Sequence, residues 1–372
     1  MKNFIIKVLS IFVISVMVIG CGSKKESNTI KIGAILPLTG DGAQIGALSN
    51  DAINLAINGY NNKKNLHNPK IIAIIEDDKL DPKISVSAFQ KLHDVNDVKI
   101  VIGPISSGAT LAVAPLANKN KVTIISTGAS ANKVTRAGSY IFRVELSDKS
   151  GGIKQAEYAR DSLNFKNMAI LYVNNDYGQG LASVFSKKFK ELGGSVDLSD
   201  GFQQGTTDFR TILTRIKALK VDAIFFVFNT EIVPFIKQKY ELKVKAKVFT
   251  TPVLENQKYL NDLGKLANGI RYIYYGTFNK DNDDSLGTHF IQMFQKNYNQ
   301  TPDYYAALAY DATGIVIKTL KDVDYDLSKF NNALYKIKNY PGVTGNISFD
   351  QNGDVEKPVT LKTVRNEKFT NY

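Results

Sequence analysis

Strand-like runs and helical stripes alternate along nearly the whole chain, and few folds accept that pattern. From Thr29 onward, Ile30 to Leu36 (IKIGAIL) is β-branched and apolar, and reads as a strand. Leu48 to Gly59 follows with Ile53, Ala56 and Ile57 on one helical face. Ile71 to Ile75 reads as a strand running into Glu76-Asp77-Asp78, and Asp81-Pro82 then opens a helix as N-cap and first-turn proline. The alternation continues through Val98 to Ile102, Ser106 to Asn118, Val122 to Ile125, and a strand at Tyr140 to Arg143. Near-continuous apolar strands separated by amphipathic helices predict parallel sheets covered on both faces.

The pattern then repeats. Met168 to Val173, Ser195 to Leu198, Ala223 to Phe228, Val248 to Thr250 and Ile270 to Tyr275 read as strands. Between them, Gly180 to Leu192, Phe209 to Leu219 and Ile232 to Tyr240 read as helices. Two such blocks predict two similar α/β lobes, with the switch near Val144 to Ser150. Ser285 to Ile337 is mostly helical, followed by strand-like pieces at Ile347 to Phe349 and Pro358 to Val364. A helical segment must pack on something, and the first lobe is the expected host. The chain then crosses between lobes more than once, which makes a hinge.

The N-terminus carries a different signal. Lys2 and Lys7 precede an apolar run from Val8 to Ile19, which ends in Gly20-Cys21. A basic start, a short hydrophobic stretch and a small residue before the cut describe a signal peptide at residues 1–20. The run is shorter than the ~20 apolar residues of a spanning helix. With cysteine after the glycine, it resembles a bacterial lipoprotein signal. That resemblance implies acylation of Cys21 and an extracytoplasmic protein anchored in the cell membrane, away from any supply of ATP or NAD. Residues 21–29, polar and small, read as the tether. Cys21 is the only cysteine, so no intramolecular disulfide is available and stability must come from core burial. The net charge of +12 is mostly dispersed lysine. No basic run and no aromatic-basic interleaving points to nucleic acid.

Several enzyme-like signals fall short. Gly40-Asp41-Gly42-Ala43-Gln44-Ile45-Gly46 approaches a dinucleotide fingerprint. Its glycine spacing is one residue too long, and the acid follows about 30 residues later where the fingerprint has about 20. Gly128-Ala129-Ser130-Ala131-Asn132 lacks the last glycine of a nucleophile elbow and the helix that should follow it. Of the three histidines, His67, His93 and His289, none has an identifiable acidic partner in sequence. No metal-binding spacing occurs, so neither a cofactor nor a metal is expected.

Two polar loops are better candidates. Gly103 to Thr110 (GPISSGAT) begins a helix, so its backbone N–H groups and serine hydroxyls converge where a carboxylate or phosphate binds. Ser106 or Ser107 also has a plainer role available, as the helix N-cap. Ser126 to Ser130 follows the next strand, and in a parallel sheet the two loops lie side by side at the crevice.

Here the sequence is similar to a known family. The runs IGPISSGATLAVAPLANKNKVTIISTGASA, YIFRVELSDKSGG and ILYVNNDYGQGLASVF resemble the extracytoplasmic substrate-binding proteins of branched-chain amino-acid ABC transporters. KIGAILPLTGDGAQIG, TTDFRTILTRIKALKVDAIFF and YYAALAYDA add to the likeness, which covers nearly all of residues 30–350. It implies a type I periplasmic binding protein: an α/β fold of two Rossmann-like lobes with parallel-rich sheets, joined by a multi-crossover hinge. The first lobe would comprise 30–146 plus about 277–345, and the second 147–276 plus about 346–372.

The resemblance also implies a site between the lobes. Ser107 would meet a carboxylate, Gly128 would offer its carbonyl to an ammonium, and Ser130 a hydroxyl or N–H to the carboxylate. Tyr177 would close over the ligand from the second lobe, with Asn229 or Thr230 nearby. The acid that usually meets the amino group aligns with Val253, and Glu255, two residues on, is the substitute candidate. The disulfide found in some members is absent. The implied partners are a small polar solute, the transmembrane subunits of an ABC permease, and the membrane through the lipid; the binding protein itself would be a monomer and not an enzyme. A sensor feeding a membrane receptor is the first rival reading, and an exported enzyme the second.

Overall fold

The computed structural model describes residues 29–63, 68–276 and 286–372. The signal segment, Cys21 and His67 lie outside the described residues. The first sheet comprises β1 (Thr29–Leu36), β2 (Lys70–Asp77), β3 (Ile100–Ile102), β4 (Thr123–Ser126) and β5 (Ile141–Arg143). Its order is β2-β1-β3-β4-β5 and every pairing is parallel. Helices α1 (Ala43–Lys63), α2 (Pro82–Gln90) and α3 (Ser107–Asn120) connect these strands. Asp81 caps α2 as its sequence suggests, accepting from the N–H groups of Lys83 and Ile84, with Pro82 in the first turn.

The second sheet is wider. Helix α4 (Asp148–Glu157) leads into β6 (Asn167–Val173), α5 (Asp176–Glu191), β7 (Ser195–Phe202), α6 (Arg210–Leu219) and β8 (Ala223–Val227). Then come α7 (Ile232–Glu241), β9 (Lys247–Thr250), α8 (Gln257–Leu263) and β10 (Arg271–Tyr275). Helices α9 (Leu286–Tyr298), α10 (Tyr304–Asp322) and α11 (Leu327–Leu334) return to the first lobe, where α9 and α10 pack on α1. A hairpin, β11 (Tyr340–Gly342) and β12 (Gly345–Ile347), precedes β13 (Val359–Arg365) and β14 (Lys368–Asn371). β13 adds antiparallel to β10 and β14 adds antiparallel to β13, giving β14-β13-β10-β9-β8-β6-β7.

Strands β3, β4, β5 and β8 are buried at every residue, and their sequences are mostly apolar, with Thr123, Ser126 and Arg143 as the buried polar exceptions. β7 alternates exposed and half-buried positions, as an edge strand does. Stacked phenylalanines fill the second core: Phe226 lies 3.8 Å from Phe235 and Phe185 lies 4.1 Å from Phe225, centroid to centroid.

The chain changes sheets after β5, after β10 and before β13. Two of these passages are tied together. Leu146 bridges Val355, and Arg143, fully buried, meets Asp354 through Nε at 2.7 Å and Nη2 at 2.8 Å. Its Nη1 donates to the carbonyls of Ala129, Ser130 and Ala131. Removing one partner of such a pair strands a buried charge. Asp354→Ala should therefore cost about 3–5 kcal/mol in urea denaturation, and a loss below about 1 kcal/mol, the range of surface pairs, would contradict this role.

Candidate functional site

The carboxyl ends of the parallel strands of both sheets face one another across a cavity of about 160 Å³. A cavity of about 150 Å³ holds a benzene-sized molecule, so this space suits a small solute rather than a nucleotide or a peptide. The loops that line it follow β3, β4, β5, β6, β8 and β9, as expected for ligands outside the carboxyl ends of parallel strands.

On the first lobe the two serines divide the work. Ser106 is the N-cap of α3, its Oγ accepting from Ala109 N–H at 3.2 Å. Ser107 sits in the first turn, where its Oγ accepts the Ala131 N–H at 3.1 Å and so binds the two ligand-facing loops together. The Ser107 hydroxyl hydrogen has no protein acceptor among the described residues, and it is buried at the cavity wall. Ser126 reinforces the loop pair by donating to Pro104 O at 2.7 Å and accepting from Ala129 N–H. Gly128 is required by close approach: a Cβ there would lie 2.8 Å from Tyr305 and 2.9 Å from Ile105. Ser107, Gly128 and Ser130 all line the cavity.

Tyr177 and Asn229 line it from the second lobe. The Tyr177 hydroxyl donates to Thr251 Oγ1 at 3.2 Å, and burial raises its pKa well above that of a free phenol. Asn229 is set by Glu231, whose carboxylate accepts from the N–H groups of Gly205, Asn229 and Thr230. Glu255 is not at the cavity. Its carboxylate lies 2.7 Å from Lys362 and accepts from Tyr272 at 2.8 Å, so β13 and β10 take up its charge. The backbone after β9 turns Val253 into the wall instead.

Acidic groups do reach the cavity, from the first crossover. Glu145 and Asp148 both line it and are almost fully buried. Glu145 Oε1 accepts from Tyr304 Oη at 2.8 Å and Leu146 N–H at 2.7 Å. Burial pushes its carboxyl up to about 7, against the opposing pull of Lys357. Asp148 is likewise pushed up to about 7 by burial, and its Oδ2 is buried without a hydrogen-bond partner. Asp303, the N-cap of α10, is raised to about 7 by burial and accepts from Asn256 of the second lobe at 3.1 Å. Sequence reading missed Glu145 and Asp148 as site residues. Their signal was two acids beside the switch between lobes, next to the buried-strand arginine.

The enzyme-like signals have structural explanations. Gly46 lets α1 lie on the end of β1, since a Cβ would fall 2.1 Å from the Pro37 carbonyl. His93 does have an acidic neighbour, Asp94 at 2.6 Å, but this pair is not part of the cavity wall. Among the described residues no group of three or more His, Cys, Asp or Glu is placed to hold a metal.

Residues 29–368 match the model of the periplasmic binding protein family, and the chain belongs to it. It is 26% identical to Leu/Ile/Val-binding protein homolog 1 of Brucella abortus over 333 residues, 88% of each chain. Among solved structures, it resembles the branched-chain amino acid transporter substrate binding protein LivJ of Streptococcus pneumoniae in complex with isoleucine. That match has a TM-score of 0.84 and 26% identity, covering 92% of this chain and 97% of the other. A solute binding protein of an ABC transporter from Rhodopseudomonas palustris, in complex with 3,4-dihydroxy benzoic acid, gives 0.82 and 25%, covering 91% and 93%.

Three carboxyls raised by burial make an acid-favoured apo protein. Their contribution is fully present below the ordinary carboxylate range and is lost as pH rises through about 7. The melting temperature of the solute-free protein should fall between about pH 5 and about pH 8, and Glu145→Gln with Asp148→Asn should flatten the profile. Calorimetry showing a steady rise over that interval would contradict the assignment.

Proposed function

We propose that this chain captures a small carboxylate solute, most simply a branched-chain-type amino acid, between its lobes and delivers it to an ABC permease. The observation that carries this is the convergence of Ser107, Gly128 and Ser130 from one lobe with Tyr177 and Asn229 from the other on one enclosed cavity. A carboxylate held by the Ser107 hydroxyl and the start of α3 is met there by a second-lobe aromatic lid. A ligand touching both lobes favours the state in which they are together. The ligands bound in the similar solved structures, isoleucine and a dihydroxybenzoic acid, support a small carboxylate. In this reading the lobes are residues 30–146 plus about 277–345 and 147–276 plus about 346–372. ATP hydrolysis belongs to other subunits, and the protein performs no chemistry on its cargo.

A thermal-shift panel of amino acids, their amides and simple organic acids tests the reading. A true ligand at ~100 times its dissociation constant adds ~2.7 kcal/mol of stability. Ser107→Ala should weaken that ligand on the order of tenfold or more, since hydrogen bonds to charged groups contribute ~1.5–3 kcal/mol. A panel in which nothing shifts the melting temperature would overturn the reading.

The anchor is part of the same proposal. Cys21 follows the apolar run at lipoprotein spacing, and acylation there would hold the protein beside its permease. Cys21→Ala should leave the protein soluble or unprocessed. An acylated N-terminal peptide from that variant, seen by mass spectrometry, would refute the anchor.

A further inference from the structure

Lysines without acidic partners gather at one pole of the first lobe, where the chain enters the fold. Thr29, the first residue of β1, is in register with Lys70 at the start of β2. Helix α1 ends beside them: Tyr60 Oη donates to Pro69 O at 2.9 Å, and the Asn61 side chain pairs with the Ile71 backbone. The end of α10 lies against the same turn. Lys321 Nζ stands 5.1 Å over the Tyr60 ring, and the hydroxyls of Tyr60 and Tyr325 are 3.1 Å apart. Lys63, Lys70 and Lys321 are exposed, and none makes an ion pair among the described residues. Lys63 and Lys321 join Lys318 and His289 along an open groove of about 760 Å³ between α1, α9 and α10. Tyr310 and Tyr340 line it too, and no acidic side chain does among the described residues. Of the acids at the end of α10, Asp322 is paired with Lys318 and Asp326 with Lys329, which leaves exposed Asp324 against the three unpaired lysines. The solute cavity lies at the other end of the same sheet, because its loops follow the carboxyl ends of the strands.

We infer that this pole is a membrane-facing surface, whose lysine groove rests on the anionic phospholipid headgroups of the bilayer that holds the anchor, with the solute cavity turned away from it. The inference takes its geometry from the reading of Cys21 as the anchor. Cys21 precedes Thr29 by eight residues, and eight extended residues reach at most about 29 Å. An acylated Cys21 therefore keeps the start of β1, and the lysines around it, close to the bilayer. Lys24 and Lys25 lie on the connecting stretch and add to the same charge. Each lysine held near an anionic leaflet strengthens binding about fivefold. The attraction decays within a Debye length, about 10 Å at 0.1 M salt, so lysines of the second lobe, beyond the cavity, contribute little. Tyrosines suit the headgroup level, where one end of the ring is apolar and the other wet. The lipid sets attachment and this surface sets orientation, which keeps the cavity open to solute.

Vesicle co-sedimentation tests this. The chain from Gly22 onward keeps every described element and carries no lipid, so its binding is read independently of acylation. It should partition onto vesicles of equal parts phosphatidylglycerol and phosphatidylcholine at least about tenfold more strongly than onto phosphatidylcholine alone. That preference should vanish at about 0.5 M salt. Lys63→Gln, Lys70→Gln and Lys321→Gln combined should weaken the partition on the order of a hundredfold. Lys187→Gln, Lys217→Gln and Lys245→Gln remove the same charge from exposed positions of the second lobe, and should change it by less than about threefold. Matching melting temperatures of the two triple variants would show that the loss is not one of folding. Equal losses in both variants would reduce the effect to net charge and overturn the surface, as would equal partition onto the two kinds of vesicle. The acidic stretch that precedes α9 is the rival occupant of the groove. Partition that appears only when Asp281, Asp283 and Asp284 are changed to Asn would assign the groove to that stretch and overturn the membrane surface. Each of these failures leaves solute capture standing, and leaves the anchor to be decided by the Cys21 mass spectrum.

Discussion

The buried guanidinium of Arg143 organises the region between the two lobes. It is inaccessible to solvent, and a charge in that position persists only with close partners. Asp354 supplies the counter-charge from the third passage between sheets, and Thr135 Oγ1 accepts from Nη2 at 2.6 Å. The carbonyls of Ala129, Ser130 and Ala131 accept from the remaining nitrogen, Nη1. One side chain therefore fixes the end of β5, the ligand-facing loop after β4 and the returning chain near Val355. Ser107 depends on the result, because its hydroxyl is oriented by the Ala131 N–H that this network holds.

From that anchor the division of labour follows. The first lobe supplies hydroxyls and the start of a helix, which suit an anion. The crossover supplies acids, which suit a cation. The second lobe supplies an apolar and aromatic wall in Tyr177, Leu181, Pro252 and Val253. The lobes also meet outside the cavity, where Lys133 Nζ lies 2.7 Å from Asp176 Oδ1. That pair is exposed and stabilises little, whereas the buried Asn256–Asp303 hydrogen bond joins the lobes beside the cavity. A small ligand can then act as a conformational effector through contacts it makes only when both lobes reach it.

Much of the fold was legible because each core strand is short, apolar and bounded by turn residues. The α2 cap was readable from Asp81-Pro82 alone, since both residues act locally. Helix α1 starts at Ala43, five residues before the expected Leu48, and Ile45 already lies in phase with the buried face that continues through Leu48 and Ala52. Ser107, Gly128, Ser130, Tyr177 and Asn229 lie together at the cavity because strand ends in parallel sheets converge by topology. Glu255 shows the limit of such reasoning. Its distance in sequence from Val253 is two residues, yet its charge is claimed by Lys362, more than a hundred positions away. Glu145 and Asp148 were overlooked for the converse reason: nothing local marks them as cavity-wall residues, and only the packing of α10 and the crossover after β5 places them there.

The central claim is that a solute links the two lobes. Small-angle scattering of the solute-free and solute-saturated protein tests it most directly. Saturation should reduce the radius of gyration, as the cleft closes over the bound molecule. Superimposable curves at confirmed saturation would contradict closure and the account of Tyr177 as a lid.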